Sequence, residues 1–361
     1  MSKLKVIKGI FIILLAIALT ITPTTIKTQE VYAKSGAHCV VDGNTGTILY
    51  AQNENEKLPM ASTTKVITAI TVINNVEDLD KEYKIPKEAV GVEGSSVYLK
   101  EGEEVSIREL LYCLMLRSGN DSAVALAYIV AGGVENFAKL MNKTGKELGA
   151  TNTNLTNPHG LHDENHYTTA KDLAQISANA MKNETFRQIV GAKQYVGKRC
   201  TYYNKNKLLS SLKNADGIKT GYTKNAGRCL VSSATTNDNR VVCVVLNCPD
   251  MYQVSANLIN RAFNEYTFLK IASKGEVYNV KVNGIAKKEV MAAVLEDLII
   301  PVKKGEEENI KVEVNLKDFT DFPVNKGESV GEICVFDKNK LLFSRKIATI
   351  ETVGINEIIF G

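Results

Sequence analysis

A chain of 361 residues, 44% hydrophobic and 23% charged with 25 Gly and 7 Pro, has room for two domains or one large one. This composition excludes disordered, collagen-like and peptide-sized classes. Of the formal net charge of +4, residues 1–33 hold most, with Lys3, Lys5, Lys8 and Lys27 against the single acid Glu30; the nearly neutral remainder lacks the basic stripe that nucleic-acid binding needs, and that class is set aside.

The chain opens with basic MSKLKVIK, then the apolar run Ile10–Leu19, then Val31-Tyr32-Ala33 ahead of Lys34. That is the pattern of a secretory signal peptide over residues 1–33, which predicts export across the cytoplasmic membrane to the cell surface or medium. An uncleaved anchor is the competing reading because no charge interrupts residues 9–26, but Pro23 and several threonines make the stretch poorly apolar after Leu19. Seven cysteines (Cys39, Cys113, Cys200, Cys229, Cys243, Cys248 and Cys334) are odd in number and form no Cys-x-x-Cys pair. They support neither a disulfide framework nor a zinc site, and most read as buried apolar residues.

Beyond the leader, AHCVVDGNTGTILYAQN predicts a hairpin about Asp42-Gly43-Asn44. PMASTTKVITAITVINNV carries Val66, Ile67, Ile70 and Ile73 on a helical period, with Ser62 and Thr63 at its N-terminal end. The stretch 106–133 reads as two apolar helical runs separated by the polar break Arg117–Ser122, and a third helix follows in VENFAKLMNKTGKELGA. His159, His162 and His166 cluster in NPHGLHDENH, where Asn157-Pro158 and Gly160 indicate a loop rather than a metal-binding helix, so no metal is expected. From Asp216 onward come the strand-like runs GRCLVSSATT and NRVVCVVLNCP, then a helix over QVSANLINRAFNEYTFLK. Strand, helices, strands, helix is an order in which N- and C-terminal strands can share one sheet, the mark of an α/β or α+β domain. After Lys274 short strand-like pieces such as EVYNVKVNG and SVGEICVFD predict a small all-β domain, giving the division 1–33, 34–273 and 274–361.

Three short patterns bear chemistry, and each occurs three times, as chance alone would allow. Ser-x-x-Lys at Ser62/Lys65 stands at a helix start, which puts both side chains on one face and the hydroxyl where helix N–H groups favour developing negative charge. Ser118-Gly119-Asn120 falls in the polar break between apolar runs, where a connector can aim hydroxyl and amide into a cleft. Lys219-Thr220-Gly221 precedes a strand, and lysine with threonine on an edge strand can bind a carboxylate, with Gly221 letting the substrate backbone approach.

The ordered set Ser62-x-x-Lys65, Ser118-x-Asn120, Lys219-Thr220-Gly221 resembles the signature of penicillin-binding proteins and serine β-lactamases. With PMASTTKVITA, EGSSVYLKEGE, TNPHGLHDENHYTTA and DGIKTGYTKNAGRCLVSSAT, the mature chain resembles low-molecular-mass penicillin-binding proteins of the D-alanyl-D-alanine carboxypeptidase type. The resemblance implies a penicillin-binding-protein-like catalytic domain, an antiparallel sheet flanked by helices, followed by a C-terminal β domain. It also implies a penicillin-sensitive enzyme that removes the terminal D-alanine of peptidoglycan stem peptides, with no cofactor. In that scheme Ser62 is the nucleophile and Lys65 its base. Ser118 relays a proton and Asn120 orients substrate and Lys65. Lys219 and Thr220 hold the carboxylate, while the N–H groups of Ser62 and Tyr222 form the oxyanion hole.

Two departures from the family pattern stand out. The arginine expected well after the third motif is represented only by Arg261, and the closing ETVGINEIIFG is too short and lightly charged for a firm membrane-lying helix, which implies a weak anchor or none. A serine β-lactamase is the first alternative. Gly119 in the second motif and the absence of a Glu-x-x-Leu-Asn element between Ser118 and Lys219 argue against it, Glu164 being a carboxylate in that region. A non-catalytic wall-binding protein is the second alternative, and the filled catalytic positions argue against that.

Overall fold

The computed structural model describes residues 36–284 and 289–354; the expected signal segment and residues 355–361 lie outside the described residues. Strand β1 (Ala37–Asp42) is buried along its whole length and turns back into β2 (Ile48–Gln52), as the hairpin pattern predicts. Asp42 holds the turn, its Oδ2 accepting from the Thr45 amide (2.7 Å) and hydroxyl (2.6 Å).

Helix α1 (Lys65–Asn75) is preceded by a 3₁₀ turn, Ala61–Thr64, and every residue from Lys65 to Val72 is buried. A helix enclosed on all sides belongs to the middle of a domain. It packs against α2 (Asn120–Ala131), α3 (Val134–Glu147) and α4 (Ala170–Ala180). The two apolar runs of 106–133 are thus real helices, and the first, Ile107–Tyr112, widens into a π-turn at Cys113–Arg117 before the polar break.

Three long strands follow: β3 (Ala215–Thr223), β4 (Gly227–Thr236) and β5 (Asn239–Leu246). They complete a five-stranded antiparallel sheet of order β2-β1-β5-β4-β3, with Ala37 opposite Leu246, so N- and C-terminal strands do share one sheet. Helix α4 packs on β1 and β5, and α5 (Met251–Glu265) packs on β4 and β5. Helices therefore cover the sheet on both faces, which explains the unbroken burial of β1.

The run expected as one helix over 253–270 is instead α5 followed by strand β6 (Tyr266–Ala272). Tyr266, Thr267 and Phe268 favour extended backbone, and pairing with the strand Leu298–Lys303 satisfies their peptide groups, which local periodicity could not reveal. Beyond β6 the described chain is built of strands, with a single 3₁₀ turn at Glu307–Asn309 among the described residues. A six-stranded sheet runs in the order Ile310–Leu316, Ser329–Asp337, Lys340–Thr349, Glu289–Val294, Val277–Asn283, Phe319–Asp321. Val280, Val282, Val290, Ile333, Val335 and Ile347 form its own apolar core. The seven cysteines are free thiols, six of them buried. Among the described residues no single helix is long and apolar enough to cross a membrane.

Candidate active site

Ser62 lies in the 3₁₀ turn and Lys65 opens α1, so the tight turn brings residues i and i+3 over one another. Lys65 is fully buried. Its Nζ lies 3.0 Å from Ser62 Oγ, 2.7 Å from Asn120 Oδ1 and 2.7 Å from the carbonyl oxygen of His159. The last two are pure acceptors. An ammonium donates to all three, whereas a neutral amine donates to Asn120 and His159 and turns its lone pair to the Ser62 hydroxyl, so one geometry serves both charge states.

Asn120 is fixed from the other side. Its Nδ2 donates to the Glu93 carbonyl (2.6 Å) and its backbone N–H to the Ser95 carbonyl (2.7 Å). The next residue, buried Asp121, ties down the same loop by accepting from Ser96 Oγ (2.6 Å), the Val97 amide (2.9 Å) and the Leu99 amide (3.2 Å). Ser118 sits just before Asn120 in the left-handed region (φ +65°), where the chain leaves the π-turn. The polar break thus delivers a nearly buried hydroxyl to the cleft.

Strand β3 is the free edge of the sheet and contacts the Ser62 turn. Gly221 is where the two backbones meet: a Cβ there would lie 3.0 Å from the Thr63 nitrogen and 3.1 Å from the Ser62 nitrogen. The space expected to admit substrate backbone is occupied by the turn that carries Ser62, and this is what restricts the position to glycine. Lys219, on the same face as Gly221, is buried and its Nζ donates to the Thr220 carbonyl (2.9 Å). Thr220 and exposed Tyr222 take the opposite face.

A cleft of about 280 Å³ opens over this assembly, lined among others by Ser62, Ser118, Thr220, Tyr222, Lys205 and Arg228. All eight residues singled out from the sequence (Ser62, Lys65, Ser118, Asn120, Lys219, Thr220, Gly221 and Tyr222) therefore converge on one place. Arg261 does not: in α5 it pairs with Glu265 (2.8 Å) and lies over the ring of Tyr50 (4.2 Å). Sequence reasoning missed the His159 carbonyl, which carries no side-chain signal, and Lys205 and Arg228, which tertiary packing alone brings in.

The electrostatics are those of a crowded, dry cation site. Burial pushes the Lys65 ammonium well below its usual range, with Lys219 adding repulsion and Asp121 opposing. Burial also brings Lys219 down from 10.5 to about 7, helped by Lys205. His159 and His166 remain neutral: burial lowers the first to about 3 and the second to about 4. His166 Nδ1 accepts from the Thr156 amide (3.0 Å), so Nε2 carries the proton and donates to Thr64 Oγ1 (2.8 Å), bracing the 3₁₀ turn.

The depressed Lys219 fixes a sign for stability. Between about 7 and 10.5 the unfolded chain binds a proton at this position that the folded chain does not, so its cost to stability is full below about pH 7 and fades as pH rises toward 10.5. Lys219→Met is expected to melt higher than wild type, with the gap largest at pH 6 and shrinking by pH 9.5. A gap independent of pH would show that Lys219 titrates normally.

Comparison with known proteins decides the family. Residues 23–250 match the family model described as D-alanyl-D-alanine carboxypeptidase, and residues 266–354 match that of the penicillin-binding protein 5 C-terminal domain. The chain belongs to the D-alanyl-D-alanine carboxypeptidase family. Among relatives of this family it is 31% identical over 342 residues to D-alanyl-D-alanine carboxypeptidase DacF of Bacillus subtilis, covering 90% of this chain and 87% of the relative. It is 36% identical over 246 residues to a D-alanyl-D-alanine carboxypeptidase of a Streptomyces species, covering 62% and 84%. Penicillin-binding protein 5 from Haemophilus influenzae superposes with a TM-score of 0.73 at 30% identity, over 89% of this chain and 98% of that one. The carboxypeptidase family, the penicillin-binding-protein-like catalytic fold and the C-terminal all-β domain are those the sequence resemblance implies.

Proposed function

We propose that the protein is a serine D-Ala-D-Ala carboxypeptidase that works through an acyl-enzyme on Ser62 and is inhibited by penicillin. The observation that carries this reading is the fully buried Lys65 amine, 3.0 Å from Ser62 Oγ with its other two contacts both acceptors. Neutral Lys65 takes the hydroxyl proton as Ser62 Oγ attacks the carbonyl carbon of the penultimate D-alanine. The oxyanion falls between the N–H groups of Ser62 and Tyr222, at the turn and the free strand edge that Gly221 holds together. Ser118 passes a proton to the departing D-alanine nitrogen while Asn120 holds the substrate amide. Water, deprotonated through the same base, then cleaves the ester and restores Ser62.

Substrate of this kind lies outside the cytoplasmic membrane, in line with the leader pattern of residues 1–33. The test is D-alanine release from an acylated Lys-D-Ala-D-Ala peptide, run beside intact mass after benzylpenicillin. Release together with a persistent penicilloyl adduct on Ser62 is the expected result. Rapid penicillin turnover without D-alanine release would establish a β-lactamase instead, and neither reaction from folded protein would leave only wall binding.

A further inference from the structure

If Lys219 and Thr220 alone received the substrate's terminal carboxylate, the site would lean on a weak cation. The Lys219 ammonium is buried, points back to the carbonyl of its own neighbour Thr220 at 2.9 Å, and loses its proton near neutrality, at about 7. Nor does Lys219 line the cleft: among the described residues the cationic side chains that do are Lys205 and Arg228, and no described carboxylate lines it with them.

Arg228 enters from β4 by strand geometry. It stands opposite Tyr222 in the β3/β4 ladder, and side chains directly opposite one another project from the same face of a sheet. Alternation along β3 puts Thr220 on that face too, so Arg228 and Thr220 are diagonal neighbours, a separation of about 7–8 Å that an arginine side chain spans. Met251 and Tyr252, which open α5, also line the cleft, and the Tyr252 hydroxyl donates to the Lys205 carbonyl at 3.4 Å. The part of the chain where an arginine is expected therefore contributes a thioether and a phenol to the lining, while Arg261 is occupied with Glu265 and Tyr50. A guanidinium stays charged throughout the working pH range and presents paired N–H donors that match a carboxylate.

We propose that Arg228, reaching across from the second strand, is the specificity residue that binds the C-terminal carboxylate of the substrate beside Thr220. The inference rests on the carboxypeptidase reading, so binding and turnover are to be measured separately. In a Ser62→Ala background, dissociation constants are measured for an acylated Lys-D-Ala-D-Ala peptide and for its C-terminal amide. The background protein is expected to prefer the acid, and adding Arg228→Gln to cut that preference about tenfold or more, with Arg228→Lys in between. Binding of the amide stays within about twofold across the three proteins, which a merely structural role for Arg228 would not produce.

An unchanged acid-to-amide ratio in Arg228→Gln, or no preference for the acid in the background protein, overturns the proposal. Ser62-containing protein is assayed in parallel for D-alanine release. An Arg228-dependent preference for the acid without any release would retain this assignment and sink the proposed reaction. Release with a ratio indifferent to Arg228 would do the reverse.

Discussion

Lys65→Arg is expected to lower kcat/KM for D-alanine release by about a thousandfold, the middle of the range that a positioned base supplies. Arginine keeps a positive charge but cannot give up its proton, so it cannot receive the one that Ser62 must lose. Because Lys65 is fully buried, the larger guanidinium also disturbs packing, and a second variant removes that ambiguity. Lys65→Met has similar length, carries no charge, and so removes both the burial of a second ammonium and its repulsion with Lys219. It is expected to fold, to melt no lower than wild type, and to be acylated by penicillin as slowly as Lys65→Arg. In the wild type the acylation rate is expected to rise with pH as Lys65 sheds its proton, and the lowered affinity of Lys65 for that proton places the expected rise well below the range of an exposed lysine. Folded Lys65→Met that keeps a tenth or more of the wild-type rate would remove Lys65 from the mechanism.

The parts of this site legible in the sequence are those written in local spacing. Ser62 and Lys65 face each other because three residues make one turn, and the polar break at Ser118–Asn120 is visible because apolar runs flank it. Strands β4 and β5 announce themselves through strand-forming apolar runs. What escapes is whatever depends on a second segment folding back. The Lys65 amine takes its third contact from a main-chain carbonyl in the 157–162 loop, and any residue at 159 has a carbonyl. Tyr266–Ala272 continues an amphipathic helix in sequence and is a strand only because Leu298–Lys303 lies beside it. Arg228 follows Lys219 by too few residues to be sought as a distant arginine, yet the β3/β4 turn returns it to the same face. The face that Arg228 shares with Thr220 and Tyr222 is thus composed by register, and register is set by pairing rather than by any one strand.

That same 157–162 loop supplies the prediction with the largest effect on the fold. Asn157 shapes it, its Oδ1 accepting from the amides of Gly160 (2.7 Å) and His159 (3.3 Å), and two contacts dock it on α1: Thr68 Oγ1 donates to the Pro158 carbonyl and Lys65 Nζ to the His159 carbonyl, each at 2.7 Å. Gly160 then passes directly over the Ser62 turn with φ +85°, and a Cβ there would overlap the Ala61 carbonyl and reach 2.8 Å from Thr64 Oγ1. Ala61 is itself at φ +49°, and its carbonyl accepts from Thr64 Oγ1 (2.9 Å), so the turn has no slack on that side. Gly132, at the C-terminal end of α2, is the matched control, with φ +72° and nothing within 4 Å of where its Cβ would stand. Alanine at Gly132 pays only for backbone conformation, about 1 kcal/mol, and acylation by penicillin stays at the wild-type rate. At Gly160 the overlap adds about 1–3 kcal/mol, and because relief requires the loop or the Ser62 turn to move, the acylation rate falls at least a hundredfold in whatever fraction remains folded. Equal losses of stability at the two positions, with acylation spared in both, would mean that the loop moves independently of Ser62 and that the third contact of Lys65 is dispensable.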